Sequence, residues 1–246
     1  MKIDKLRIYP LVDELVNAFA GFLKEKIEYF NSTQEYTTIC LSGGNTPKKL
    51  FEVLLEKYSD DLPWSSLHFF WGDERCVPEE SAESNYGEAR RILFDVIKIP
   101  DKNLHPIIGD NNPGEEIHRY QDEIKQFVEL NNNIPRFDIM ILGMGDDGHT
   151  ASIFPGMNEL LASNDICATS YHPVSHQQRI TLTGNVLNNS KIICFLISGK
   201  SKAQILKSVI HAHPKAEEYP VNYICPVNGE LLFFIDNNAA SELTIE

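Results

Sequence analysis

A doubly wound α/β fold with a mostly parallel sheet is what this sequence predicts, on three observations. Short apolar runs alternate with amphipathic helical patterns along the whole chain, the order that builds parallel sheets through helical crossovers. Three of the runs, Ile39–Leu41, Phe137–Leu142 and Ile192–Ile197, are apolar on both faces, as strands are when helices cover both sides of a sheet. The length, 246 residues, suits one such domain spanning 1–246, long enough to bury a core without staples.

The elements follow in order. Residues 12–30 carry Leu15, Val16, Phe19, Phe22, Leu23 and Ile27 at helical spacing. Tyr36–Leu41 reads as a strand, and 47–58 as a helix with Pro47 at its first position. Leu67–Trp71 is a second strand, followed by helical patterns over 85–96 and 115–131. Strands are expected at Phe137–Leu142, Arg179–Leu182, Lys191–Ser198 and Leu231–Ile235, with a helix over 201–211. No internal repeat or low-complexity block interrupts the pattern.

Composition excludes several functions. Lys and Arg number 22 against 35 Asp and Glu, a formal charge of −13. Nucleic-acid binding and docking on anionic lipid both need a basic face, so neither partner is expected. No apolar run approaches the ~18 residues of a membrane span. Met1 to Pro10 alternates charged and apolar residues without a continuous apolar stretch, which speaks against a secretory signal. The five cysteines are scattered with no CxxC pair, and a reducing, cytoplasmic setting is expected.

In doubly wound sheets ligands bind beyond the carboxyl ends of the strands, so the loops there carry the functional reading. Ser42-Gly43-Gly44-Asn45-Thr46-Pro47 joins a strand to a helix. Its glycines allow close approach, Thr46 can cap the helix, and the free N–H groups of a helix start attract an anion such as a phosphate monoester. The same residues also suit a plain strand–helix turn. In Gly72-Asp73-Glu74-Arg75, the arginine can grip phosphate or carboxylate and Asp73 or Glu74 can orient it. An internal ion pair in a solvated cluster fits equally well. Gly143-Met144-Gly145-Asp146-Asp147-Gly148-His149 spells GxGxxG, but two aspartates would repel a pyrophosphate and Pro155-Gly156 follows too soon for a crossover helix. A His beside carboxylates instead suits acid–base chemistry, or a structural His capping the next segment. Three such ligands in one turn are a weak metal signal, and no metal is expected. Gly199-Lys200-Ser201-Lys202 lacks the upstream glycine of a P-loop but keeps lysines at a helix start. Arg179 opens an apolar strand as a possible second anion contact or an edge ion pair.

Taken in order, SGGNTP at 42–47, FWGDERCVP at 70–78, SNY at 84–86, FDIMILGMGDDGHTASIFPG at 137–156, RITLTGNVLNN at 179–189 and SGKSKA at 198–203 resemble the 6-phosphogluconolactonases. The likeness covers nearly the whole chain. It implies a Rossmann-like sheet flanked by helices, as in the related sugar-phosphate deaminases and isomerases. It also implies hydrolysis of 6-phospho-D-glucono-1,5-lactone with no cofactor. His149 would be the general base and Asp147 its orienting partner. Arg75, Arg179 and Lys202 would supply positive charge to the phosphate and the developing oxyanion, and Ser42, Gly43, Gly44, Asn45 and Thr46 would hold the phosphate. Asn45 stands where these proteins usually carry Ser, and it can still donate to a phosphate oxygen. The small sugar-phosphate lactone would be the partner of a monomer or small homo-oligomer. A glucosamine-6-phosphate deaminase-like enzyme is the first alternative, but such enzymes carry an acidic residue after the His where Pro155 lies near here. A non-catalytic sugar-phosphate sensor is the second, and it would have no need of His149.

Overall fold

The computed structural model describes residues 3–243, so Met1 and Lys2 of the segment weighed as a signal lie outside the described residues. In chain order the elements are β1 (Lys5–Tyr9), α1 (Val12–Asn31), β2 (Thr37–Leu41), α2 (Asn45–Tyr58), β3 (Leu67–Trp71), β4 (Asp73–Arg75), α3 (Asn85–Ala89), β5 (Leu104–His105) and α4 (Pro113–Phe127). The two-residue strands β6 (Leu130–Asn131) and β7 (Ile134–Pro135) come next, then β8 (Ile139–Leu142), α5 (Asn158–Ala162) and β9 (Cys167–Tyr171). The chain continues through β10 (Gln178–Leu182), α6 (Gly184–Asn188), β11 (Ile192–Ile197), α7 (Ala203–Ile210) and β12 (Glu230–Asp236).

Seven strands form the central sheet in the order β1-β12-β11-β8-β2-β3-β5, and every neighbouring pair is parallel. The order reverses between β2 and β8, the place where a doubly wound sheet opens a crevice for ligand. The loops leaving these two strands are Ser42–Thr46 and Gly143–His149. Strands β2, β3, β8 and β11 are buried at every position. The helices cover them with apolar stripes: on α1, Leu15, Phe19, Leu23 and Ile27 are buried at four-residue spacing, with Val16 and Phe22 beside them. Phe19 meets Phe234 of β12 edge-on at 5.0 Å. Truncating a ring in such a contact costs about 3–5 kcal/mol.

The boundaries depart furthest from expectation at three helices, each for a local reason. Helix α2 begins at Asn45 with Gly44 as its cap at φ 107°, so Pro47 is not its first residue and Thr46 does not cap it. The Thr46 hydroxyl instead lies 2.8 Å from Ser198 Oγ, tying the loop after β2 to the loop after β11. Helix α4 starts on its Asn112 cap and Pro113 and stops at Phe127 rather than 131. Asn132 and Asn133 both take positive φ, 53° and 65°, and make the two-residue turn of the β6–β7 hairpin. The helix expected over 85–96 is a five-residue α3 continued by a π-turn, Arg90–Phe94.

Arg179 lies outside the parallel sheet. A second, antiparallel sheet of order β4-β10-β9 carries it, and its register sets Arg179 directly opposite Arg75. The sequence pattern gave no sign of this pairing, yet it brings two distant arginines together beside the crevice.

Candidate active site

A cavity of about 460 Å³ opens at the carboxyl ends of the parallel strands. Ser42, Gly43, Gly44, Asn45, Thr46, Arg75, His149, Arg179 and Lys202 all line it. Asp147 stands behind His149, its Oδ1 2.6 Å from the imidazole Nδ1 and 3.0 Å from the His149 backbone nitrogen. Accepting from Nδ1–H in this way orients the ring and leaves Nε2 as the nitrogen free to take a proton. Burial acts to raise the Asp147 carboxyl, but the hydrogen bonds and charge of His149 outweigh it and hold the group at about 2. The dyad closes only because residue 145 is glycine: a Cβ there would overlap His149 Nδ1 and Cε1 and lie 2.7 Å from Asp147 Oδ1. Phe154, fully buried, packs with its ring centre 4.7 Å from that of His149, and the Arg179 guanidinium carbon sits 5.5 Å from the centre of the Phe154 ring.

Three buried polar atoms on the cavity-lining residues have no hydrogen-bond partner: Ser42 Oγ, Arg75 Nε and Arg179 Nε. Buried donors are nearly always satisfied in folded proteins, so three orphans at one cavity ask for an acceptor. The first turn of α2 adds backbone N–H groups that no earlier turn can satisfy. Its opening residues, Asn45 and Thr46, line the same space.

Several expected details change. Neither Asp73 nor Glu74 orients the Arg75 guanidinium. Its Nη1 donates to the Glu83 carbonyl at 2.6 Å and to Asn85 Oδ1 at 2.9 Å, while Glu74 takes the Arg75 backbone N–H. Asp73 turns toward Arg179 instead, 4.0 Å from its Nη1, and accepts from Ser152 Oγ at 2.5 Å. Burial draws the Arg179 guanidinium below its ordinary value, with Asp73 opposing. Lys202 reaches the cavity but lies 2.5 Å from Asp146 Oδ1, and its hydrogen bond, with a second from Ser201, holds that carboxyl low. The N–H of Gly199 is taken by Asp236, so the α7 start offers less to an anion than the α2 start. Asp147 alone of the two carboxylates in this turn meets the imidazole, since Asp146 turns to Lys202. Among the described residues no group of three or more His, Cys, Asp or Glu is placed to hold a metal ion.

The charge of the cavity is modest. Arg75, Arg179 and Lys202 share the lining with Asp73 and Asp146, so the unpaired donors distinguish this cavity more than bulk positive potential does. Sequence reasoning assigned no place in the lining to Asp73, read only as an orienter of Arg75, or to Asn85 and Ser198, which stood in quoted motifs without a role. Asn85 could have been flagged, since it stands in the SNY tripeptide at 84–86. Ser198 opens the SGKSKA loop, but its nearness to Thr46 depends on where β11 and β2 sit in the sheet.

Comparison with known proteins places the fold in a family. A family model described as glucosamine-6-phosphate isomerases/6-phosphogluconolactonase matches residues 10–233. A Haemophilus influenzae protein named 6-phosphogluconolactonase is 42% identical over 202 residues, 82% of this chain and 85% of its own length. A crystal structure titled devB protein superposes with a TM-score of 0.91 at 37% identity, covering 98% of this chain and 99% of that one. The 6-phosphogluconolactonase of Thermotoga maritima does so with 0.81 at 30% identity, covering 94% and 100%. The matched segment takes in every loop that lines the cavity, and the chain belongs to the glucosamine-6-phosphate isomerase/6-phosphogluconolactonase family.

Proposed function

We propose that this chain hydrolyses 6-phospho-D-glucono-1,5-lactone to 6-phospho-D-gluconate, with His149 as general base. The observation that carries the reading is one cavity holding both an Asp-oriented imidazole with a free Nε2 and three orphaned anion donors. Arg75, Ser42 and the start of α2 would grip the phosphate. Arg179, sharing the Phe154 ring with His149, and Lys202 would stand nearer the carbonyl. Water attacks C1 of the lactone as Nε2 takes its proton, and the oxyanion grows toward the cations. Collapse breaks the C1–O5 bond, and the imidazolium returns the proton to O5, which leaves as the 5-hydroxyl. The new carboxylic acid then ionises. Positioned acid–base transfer of this kind is worth ~10²–10⁴-fold, and Asp147 stabilises the transient imidazolium. The reaction as written needs neither cofactor nor metal.

The five cysteines are free and fit a reducing cytoplasm, and among the described residues no helix is long and apolar enough to cross a membrane. We place the chain there as a monomer or small homo-oligomer. The test is acid release from freshly generated lactone, corrected for spontaneous opening, beside ammonia release from glucosamine 6-phosphate. Lactone opening well above background with no ammonia supports the reading. Ammonia release, or binding of 6-phosphogluconate without turnover, overturns it.

A further inference from the structure

Arg75 is the hinge of phosphate recognition in the function proposed above, and the present inference rests on that reading. Among the described residues no carboxylate forms an ion pair with its guanidinium. Two neutral oxygens hold Nη1 instead, the Glu83 carbonyl and Asn85 Oδ1, and Nε is left buried and unpartnered. Asn85 is buried and fixed at both ends of its amide, since its Nδ2 donates to the Asp73 carbonyl at 2.9 Å. Gly43 of the phosphate loop lies flush against the same amide, so that a Cβ on Gly43 would overlap Asn85 Oδ1. One side chain therefore touches the arginine, the strand that bears it, and the loop that binds beside it.

Asn85 is itself held by Glu74, which is 1% exposed. Glu74 Oε1 accepts from the backbone N–H groups of Arg75 and Asn85, each at 2.8 Å. Its Oε2 accepts from the Tyr86 N–H at 2.8 Å and from Ser84 Oγ at 3.0 Å. Among the described residues no Lys, Arg or His lies within ion-pair distance of it, and burial pushes the carboxyl up despite the backbone N–H bonds that pull it down. A buried carboxylate without a cation is costly unless fully hydrogen-bonded. Here its acceptors fasten Ser84–Tyr86 to β4 and take the Arg75 backbone N–H, and none is turned to the Arg75 guanidinium.

We propose that Asn85 and Glu74 are positioning residues for phosphate recognition: Glu74 pins Ser84–Tyr86 to β4, and Asn85, so pinned, aims Arg75 through a neutral acceptor that leaves the guanidinium charge uncancelled for the substrate's phosphate. A carboxylate in the place of Asn85 would orient Arg75 as well but would compete with the phosphate for it. The amide orients without competing.

The experiment is a double-mutant cycle read as selectivity, the ratio of kcat/KM for the phosphorylated lactone to that for glucono-1,5-lactone. Asn85→Ala is expected to lower the ratio about tenfold or more while adding less than about threefold to the loss in Arg75→Ala. Glu74→Gln, which sets an NH₂ against N–H donors, is expected to follow the same pattern. Asn85→Asp, matched in size, gives an arm that does not depend on tolerating a cavity, and its ratio should fall at least about fivefold. Equal losses on both lactones, losses that add to those of Arg75→Ala, or an unchanged ratio in Asn85→Asp each overturn the proposal. A wild type that opens no lactone refutes the hydrolase reading alone. The same cycle read as the affinity for 6-phosphogluconate then decides the positioning role by the same criteria.

Discussion

Replacing Gly145 by Ala probes the dyad without touching either of its members. The position does not take a positive φ, so alanine is compatible with the backbone. The Cβ, however, would fall inside the space of His149 Nδ1 and Cε1 and 2.7 Å from Asp147 Oδ1. Carbon in ordinary contact needs about 3.5 Å, so the imidazole has to retreat by ~1 Å or more. The Asp147–His149 bond, 2.6 Å now, would stretch to roughly 3.6 Å, which no longer counts as a hydrogen bond. A displacement of that size at a reacting group costs on the order of 10²-fold in rate. The phosphate side of the cavity is built from other loops and stays intact. Steady-state hydrolysis of fresh lactone, with calorimetric titration of 6-phosphogluconate and a melting curve, separates these effects. The expected result is kcat down ~10²-fold with product affinity and Tm nearly unchanged. A kcat within about threefold of wild type at an unaltered fold would refute the claim that the closed dyad is needed.

Arg75→Ala should cost the phosphorylated lactone ~10–10²-fold in kcat/KM, the worth of one charge-assisted contact of roughly 1.5–3 kcal/mol, and glucono-1,5-lactone much less; equal losses in parallel assays would move Arg75 away from the phosphate. Gly43→Ala should weaken 6-phosphogluconate binding in titrations by displacing Asn85, and should cost little more once Asn85 is already alanine. Stability should fall in acid through His68, which is buried, lies 2.8 Å from His105 Nε2, and is lowered to about 4, first by burial and then by the charges of His105 and Lys102. The folded state resists a proton that the unfolded chain takes up below pH ~6.5. This contribution is therefore whole above that pH and is lost as pH drops toward 4, amounting to on the order of 1–2 kcal/mol by pH 5. Urea unfolding at pH 7.5 and pH 5 measures it, and a His68→Leu variant that keeps the full pH slope would contradict the assignment.

The parallel sheet was legible because its strands advertise burial on both faces. Ile39–Leu41 and Ile192–Ile197 could belong to little else, and the switch point between β2 and β8 then placed two of the decisive loops side by side. His149 with Asp147 was legible for a local reason, since residues two apart in a glycine-bounded turn can meet without help from the rest of the fold. The antiparallel sheet was not, because β4 is only three residues long and its pairing with β10 spans about a hundred residues. The Asp73 partner of Arg179 was lost with it. Asp73 and Glu74 looked like neighbours for Arg75, yet strand alternation turns Glu74 to the opposite face, and Asp73, on the same face, is drawn across to β10 and Ser152. Each found its partner elsewhere, Asp73 in Ser152 and Arg179, Glu74 in Ser84–Tyr86. The acidic charge of −13 argued against nucleic acid and anionic lipid, and the orphaned donors of one cavity are a local feature that a net charge does not reveal.

His149→Ala tests the central claim most directly. With freshly generated 6-phospho-D-glucono-1,5-lactone, corrected for spontaneous opening, the wild type should release acid far above background. The variant should fall to near background while binding 6-phosphogluconate with an affinity within a few-fold of wild type, since the phosphate donors sit on other loops. A variant that keeps more than about half the wild-type rate would contradict the assignment of His149 as the base.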